Sequence, residues 1–337
     1  MNYLTCSEQF SFDVPLAILG GPTSIYLLEG ILPAWIPDRF FWSYLAGAVF
    51  FFTALAVILK KESGAHGLDR FVPAGRLFLA FPMAVFGVEH FIYADFVATL
   101  VPSWIPGHLF WTYFTGIALI AAALSITLKI QARLAATLLG IMIFLFVLMV
   151  SVPKIIASPG DRFVWNGGVR DLALSASALI FAATQTEAWQ RHRQHWFIAI
   201  GRFGVAIPLL IFGVQHFIYP DFAPGIPVNK PMPIWIPLHW FWSYFTGAAF
   251  IAASVSLMIK RRPRLAASLL AVMLLLWLLL IYIPTLVINP YDTGYALGNV
   301  AMHLALCGGA LILAGTQIRE ATLQQEPSLQ ETALMQS

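Results

Sequence analysis

The sequence predicts an all-α fold, a polytopic membrane helix bundle of about nine transmembrane helices built from tandem four-helix modules. Three observations carry this expectation. Hydrophobic residues make up 59% of the chain and charged residues 10%, with a mean hydropathy of +0.79, whereas soluble domains carry roughly a quarter charged residues. Apolar windows long enough to cross about 30 Å of hydrocarbon recur along the chain. Finally, the pattern Trp-Ile-Pro-x-x-x-Phe-Trp-x-Tyr-x-x-Gly occurs three times, from Trp35 to Gly47, Trp104 to Gly116 and Trp235 to Gly247, which marks duplicated membrane modules.

The elements follow in order. Residues 1–74 read as an outer N-terminal segment and a half-module with one spanning helix near 41–60, because 35–60 repeats 104–129 with no counterpart of His90. The first thirty-odd residues lack the basic start, apolar stretch and small-residue cleavage site of a secretory signal, so the first spanning helix is expected to direct insertion. Residues 75–195 form a first module with windows near 76–93, 109–129, 133–152 and 170–187. Residues 196–319 form a second, with windows near 202–219, 240–260, 264–283 and 296–315. The Gln-, Glu- and Ser-rich stretch 320–337 is expected to be a disordered cytoplasmic tail.

The two full modules align residue by residue. Gly75-Arg76 through Glu89-His90-Phe91-Ile92-Tyr93 matches Gly201-Arg202 through Gln215-His216-Phe217-Ile218-Tyr219 at a spacing of 126. After a five-residue insertion near Pro227–Pro231 the spacing is 131, pairing His108 with His239, Trp111 with Trp242, Lys129 with Lys260 and Pro153 with Pro284. One further residue of shift pairs Thr184-Gln185 with Thr316-Gln317, and sets Arg170-Asp171, read as the start of a fourth helix, against Met302-His303. An even helix number makes the copies parallel.

Alternating the links puts fourteen basic residues, among them Lys60, Arg76, Lys129, Arg202 and Lys260, on one side, and five, Arg39, Lys154, Arg162, Arg170 and Lys230, on the other. The positive-inside rule then places the N-terminus outside, the C-terminus in the cytoplasm and the Trp-Ile-Pro segments outside, in a bacterial cytoplasmic membrane. The formal charge of +3 reports this topology, and no nucleic-acid partner is implied. Cys6 and Cys307 stand far apart, which supports neither a disulfide framework nor dithiol chemistry. Walker loops, dinucleotide fingerprints, His-Glu-x-x-His and nucleophile elbows are absent from the sequence.

A helix that opens with Arg and closes in Gly-x-x-His-Phe-x-x-x-x-Phe, then a Trp-Ile-Pro loop, then Phe-Trp-x-Tyr-x-x-Gly, resembles the DoxX and DoxX-like membrane proteins. The likeness covers 75–187 and 201–317, with a fragment at 35–60. It implies a four-helix membrane bundle per module, and some relatives are linked with quinone-coupled thiosulfate oxidation or oxidative-stress complexes. This chain departs from the single-module pattern by carrying two modules and a fragment.

Ionisable groups at membrane depth are costly, by about 2.5–3.5 kcal/mol on insertion scales, and call for an explanation. The candidates for a proton or quinone site are Glu89, His90, Asp95 and His108 in the first module, and Gln215, His216, Asp221 and His239 in the second, with Tyr93 or Tyr219 close by. An imidazole near an outer helix end can relay a proton or hydrogen-bond a quinone carbonyl. The competing reading is structural, since His and Tyr favour the half-wet interfacial zone without any ligand. Haem is disfavoured because nothing in the spacing selects two axial imidazoles, and no metal site is expected. Trp35, Trp104, Trp111, Trp235 and Trp242 read as interfacial anchors, and Gly116 and Gly247 as points of close helix packing.

The expected function is a membrane subunit or accessory of a quinone-linked redox system, with the lipid bilayer and a redox protein as partners. A small-molecule or lipid transporter and a non-catalytic scaffold are the alternatives.

Overall fold

The computed structural model describes residues 39–61, 67–185, 191–225, 232–288 and 297–316. Trp35, Cys6, the Pro227–Pro231 insertion and the 320–337 tail lie outside the described residues. The chain divides into two compact units, Met1–Phe50 and Phe51–Ser337. In the first, the described part is the start of α1 (Arg39–Lys61).

The second unit holds the rest of α1, in which Phe51 packs on Phe78 and Phe81. A 3-10 stretch, Gly67–Ala74, then leads into α2 (Gly75–Ile92). The chain continues through α3 (Ala94–Ala98), α4 (His108–Leu128), α5 (Ala132–Ala157), α6 (Arg162–Thr184) and α7 (Arg191–Ile218). It ends with α8 (His239–Met258), α9 (Pro263–Ile288) and α10 (Leu297–Thr316). No β-strand occurs among the described residues, and the protein is an all-α polytopic helix bundle.

Each of the nine expected windows falls on a helix. Among the described residues seven helices, rather than the expected nine, are long and apolar enough to cross a membrane: the continuous Asp69–Ile92, α4, α5, the Trp196–Ile218 part of α7, α8, α9 and α10, while α1 contributes the shorter apolar stretch Gly47–Lys60. The N-terminal half of α6 carries Arg162, Asn166, Arg170 and Asp171, which makes it more polar than those seven.

Three element ends differ from expectation. Arg170-Asp171 does not open the fourth helix; Asp161 does, its carboxylate accepting the Phe163 N–H at 2.8 Å as an N-cap. The helix runs through Gly167-Gly168, and Gly168 is where α6 meets Ser151 of α5. Arg170 therefore sits about 12 Å along the helix, at 1.5 Å per residue. α7 likewise begins at Arg191 rather than near Gly201-Arg202, because helix continues into the polar residues before the apolar window.

The third difference concerns the prolines. α5 and α9 run on past Pro153 and Pro284, and each contains a π-helical turn, Val147–Ser151 and Leu278–Tyr282, just before its proline. A proline lacks the N–H and its ring crowds the carbonyl one turn back, and a widened turn accommodates both. The two turns lie 131 residues apart, so the repeat extends to backbone detail.

Packing interlocks the modules. In the first, α2 crosses α4 where Gly87 meets Gly116; in the second, α7 crosses α8 where Gly213 meets Gly247. Ser175 on α6 donates to the Gly140 carbonyl of α5 at 2.7 Å, and the matching Cys307 on α10 donates to the Ala271 carbonyl of α9 at 3.3 Å. The fourth helix of each module also packs on the first helix of the other. Gly201 of α7 abuts Ala176 and Ile180 of α6, while Gly75 of α2 abuts their counterparts Gly308 and Ile312 of α10. Where α6 and α10 meet, Gly309 lies against Ser177, and a cavity of about 20 Å³ remains beside them, room for one water.

Outward faces are apolar, as lipid contact requires; Phe110, Ile117 and Leu128 run along the exposed face of α4. The end opposite the Trp-Ile-Pro loops turns tightly through left-handed Lys129 and Gln131 and their counterparts Lys260 and Arg262. There the Arg264 guanidinium pairs with Asp69, tying α9 to the 3-10 stretch before α2.

A Cβ at Gly308 would lie 2.5 Å from the Leu79 backbone nitrogen and 2.8 Å from the Gly75 carbonyl. Gly308→Ala is expected to destabilise the bundle by about 1–3 kcal/mol through forced backbone separation. Gly167→Ala, where a Cβ meets nothing within 4 Å, should leave thermal unfolding in detergent near wild type. Equal unfolding midpoints for the two variants would contradict this packing.

Candidate functional site

The second module gathers buried polar groups at its Trp-Ile-Pro end. α7 supplies Gln215 and His216, α8 Ser243 and Thr246, α9 Trp277 and Tyr282, and α10 Asn299 and His303. All eight are at least nine-tenths buried. The α7–α8 glycine crossing brings Gly247 against the His216 Cβ, and the Ser243 hydroxyl donates to the His216 carbonyl at 3.3 Å.

The tautomer of His216 follows from its partners. Nδ1 lies 2.7 Å from the Phe212 carbonyl, which only accepts, so Nδ1 carries the proton. Nε2 therefore accepts, and it receives the Gly225 N–H at 3.1 Å. His303 is held in the same way, its Nδ1 donating to the Asn299 carbonyl at 2.9 Å. The Tyr282 ring stacks on His303 at 3.7 Å, and its hydroxyl donates to the Pro224 carbonyl at 3.1 Å. Phe250 meets the His216 ring edge-on.

Four polar atoms in this set are buried and make no hydrogen bond among the described residues: Gln215 Oε1, Thr246 Oγ1, Trp277 Nε1 and Asn299 Nδ2. Two are acceptors or acceptor-capable and two are donors. Leaving such a group unsatisfied costs about 1–3 kcal/mol.

The first module carries a different set at the matching end. Glu89 stands for Gln215, Arg170 for Met302 and Asp171 for His303. Arg170 Nε donates to Asp171 Oδ1 at 3.2 Å, and its charge acts on the Glu89 carboxylate, whose Oε1 makes no hydrogen bond among the described residues. His90 is half-buried, with Nδ1 on the Phe86 carbonyl at 2.7 Å. Three ionisable groups in one module, two acids and a guanidinium, are thus replaced together by an amide, a thioether and an imidazole in the other.

The remaining candidates lie apart from these sets. Asp221 is exposed and accepts the Trp240 indole N–H at 2.8 Å, while both ring nitrogens of His216 are taken by backbone groups. Asp95 is exposed, and His108 and His239 are half-buried at the first positions of α4 and α8. Of the tryptophans, Trp104, Trp111 and Trp235 are exposed, while Trp242 packs edge-on against Trp277 at 5.6 Å. Tyr282, His303, Trp277, Asn299 and Thr246 were not singled out by sequence reasoning as site residues. The available signal was the repeat itself, since Tyr282 and His303 stand where the first module has Ser151 and Asp171.

Arg170→Met alone leaves Glu89 and Asp171 without their cation and should lower the unfolding midpoint in detergent. The triple change Glu89→Gln, Arg170→Met, Asp171→His copies the second module's set and should recover most of that loss. A triple variant less stable than the single would contradict the equivalence of the two sets.

The family model of a domain of unknown function (DUF8561) matches residues 79–157, which run from α2 to the end of α5 in the first module. No curated protein and no solved structure matches the chain.

Proposed function

We propose that the protein is a membrane subunit or accessory of a quinone-linked redox system in a bacterial cytoplasmic membrane, and that the polar interior of its second module receives the quinone headgroup. The observation that carries this reading is the set of four buried polar atoms without hydrogen bonds, Gln215 Oε1, Thr246 Oγ1, Trp277 Nε1 and Asn299 Nδ2. A quinone carbonyl accepts, and the hydroquinone hydroxyl also donates. A ligand that changes between those states needs both kinds of partner, and this interior has both. The resemblance of both modules to DoxX-like proteins supports the same reading, with electrons coming from a partner protein. The charge distribution supports an orientation with the Trp-Ile-Pro end outside.

A second reading, ion-coupled transport, draws on Glu89, Arg170 and Asp171, since ionisable groups at membrane depth often mark ion paths. Against it, the cavity beside Ser177 is only about 20 Å³, and the larger one between α6 and α10, about 210 Å³ and lined by Arg76, Lys129, Thr184 and Thr316, shares no lining residue with it.

Equilibrium binding of a short-tailed benzoquinone to the purified protein tests the proposal. The double variant Trp277→Phe, Asn299→Leu removes two donors and should weaken binding about tenfold or more, at roughly 0.5–1.5 kcal/mol per hydrogen bond. Asp95→Asn should leave it unchanged. Undiminished affinity in the double variant would overturn the assignment. In a separate test, a cysteine introduced at Ser103 should react with an impermeant thiol reagent added outside intact cells, and one introduced at Gln131 should not; the reverse would invert the orientation.

A further inference from the structure

Pro224 and Gly225 contribute one peptide group to the polar interior, and that group is held at both ends. Its carbonyl accepts from Tyr282 Oη of α9, and its N–H donates to His216 Nε2 of α7, each at 3.1 Å. Gly225 lies over His303 at φ +114, and a Cβ there would come within 2.3 Å of His303 Nε2. The peptide therefore presents a flat group with one acceptor and one donor between two side chains arranged to give and to receive a proton.

We infer that the Pro224–Gly225 peptide occupies the place of the ligand headgroup, and that His216 Nε2 and Tyr282 Oη become headgroup contacts when this segment moves out. This rests on the quinone reading and extends it. A quinone carbonyl takes the Tyr282 hydroxyl in place of the Pro224 carbonyl. A hydroquinone hydroxyl gives its hydrogen to His216 Nε2 in place of the Gly225 N–H. Both imidazoles are fixed as Nδ1–H tautomers by backbone carbonyls, so His216 need not turn to change partners.

The segment is built to be displaced. In the first module the matching chain forms α3, whereas Pro220 replaces Ala94 here and no helix forms. Ala223, Pro224 and Gly225 place no large side chain in the interior. Beyond those two interior hydrogen bonds the segment is fastened at Asp221, which accepts from the Trp240 indole and the Met232 N–H, and on the outside, where the Arg162 guanidinium of α6 lies 3.9 Å from the Phe222 ring centre and 4.6 Å from that of Tyr219. The first module thus holds the cover of the second module's site.

The test combines short-tailed benzoquinone binding with backbone hydrogen–deuterium exchange over residues 219–225, in the wild type, Gly225→Ala and Arg162→Ala. Gly225→Ala expels the segment by collision with His303; Arg162→Ala loosens it from outside without altering the interior, and carries the comparison if the first variant does not fold. Quinone should raise exchange in the wild type. Both variants should show raised exchange without ligand and bind quinone about three- to tenfold tighter, because less of the protein is in the closed form. Equal binding by all three, with exchange unmoved by quinone, would overturn the displaced cover and leave the quinone reading standing. No binding by any, including variants whose exchange shows the segment open, would take down both.

Discussion

Close approach of helix backbones at small residues is the constraint on which this structure depends. Lipid tails are as apolar as leucine, so helices within a bilayer gain little by exchanging lipid for leucine, and association relies on packing and hydrogen bonds. Gly87 on Gly116 and Gly213 on Gly247 join the first two helices of each module, and Gly75 on Gly308 with Gly201 on Ala176 join one module to the other. α10 shows the result. Its span is 78% buried, where the other six candidate spans are 33–50% buried, because it touches α2 through Gly308, α6 through Gly309 and α9 through Cys307.

Duplication followed by divergence explains how one architecture holds two different interiors. The glycine crossings, the π turns before Pro153 and Pro284, and the paired left-handed turns are the same in both modules. The side chains at their Trp-Ile-Pro ends are not. The first keeps an acid, a cation and a second acid on α2 and α6; the second has amide, thioether and imidazole in their places. A charge set in a membrane interior must change as a unit, since removal of one member strands the others.

The π turn before Pro284 has a direct bearing on the site. Tyr282 is its last residue, and it reaches both the His303 ring and the Pro224 carbonyl. Prolines that interrupt regular hydrogen bonding in a membrane helix are tolerated where the surroundings satisfy the freed groups. Here the irregular turn lies where the polar interior is assembled.

The all-α class, the helix windows and the close packing at Gly116 and Gly247 were legible in the sequence, because lipid imposes a minimum apolar length and close packing demands small residues. Which buried polar side chains share the end of a module was not legible. Sequence proximity grouped His216 with Asp221 and His239, whereas backbone groups satisfy both nitrogens of His216 and Asp221 turns to Trp240. Tyr282 and His303 lie 66 and 87 residues beyond His216, and Arg170 lies inside α6 rather than at its start because that helix begins at Arg162 and passes through Gly167-Gly168. Apolar length and repeat spacing are local properties of the chain and can be read along it. Which buried polar atoms find partners depends on how α7, α8, α9 and α10 converge, and tertiary structure alone decided that.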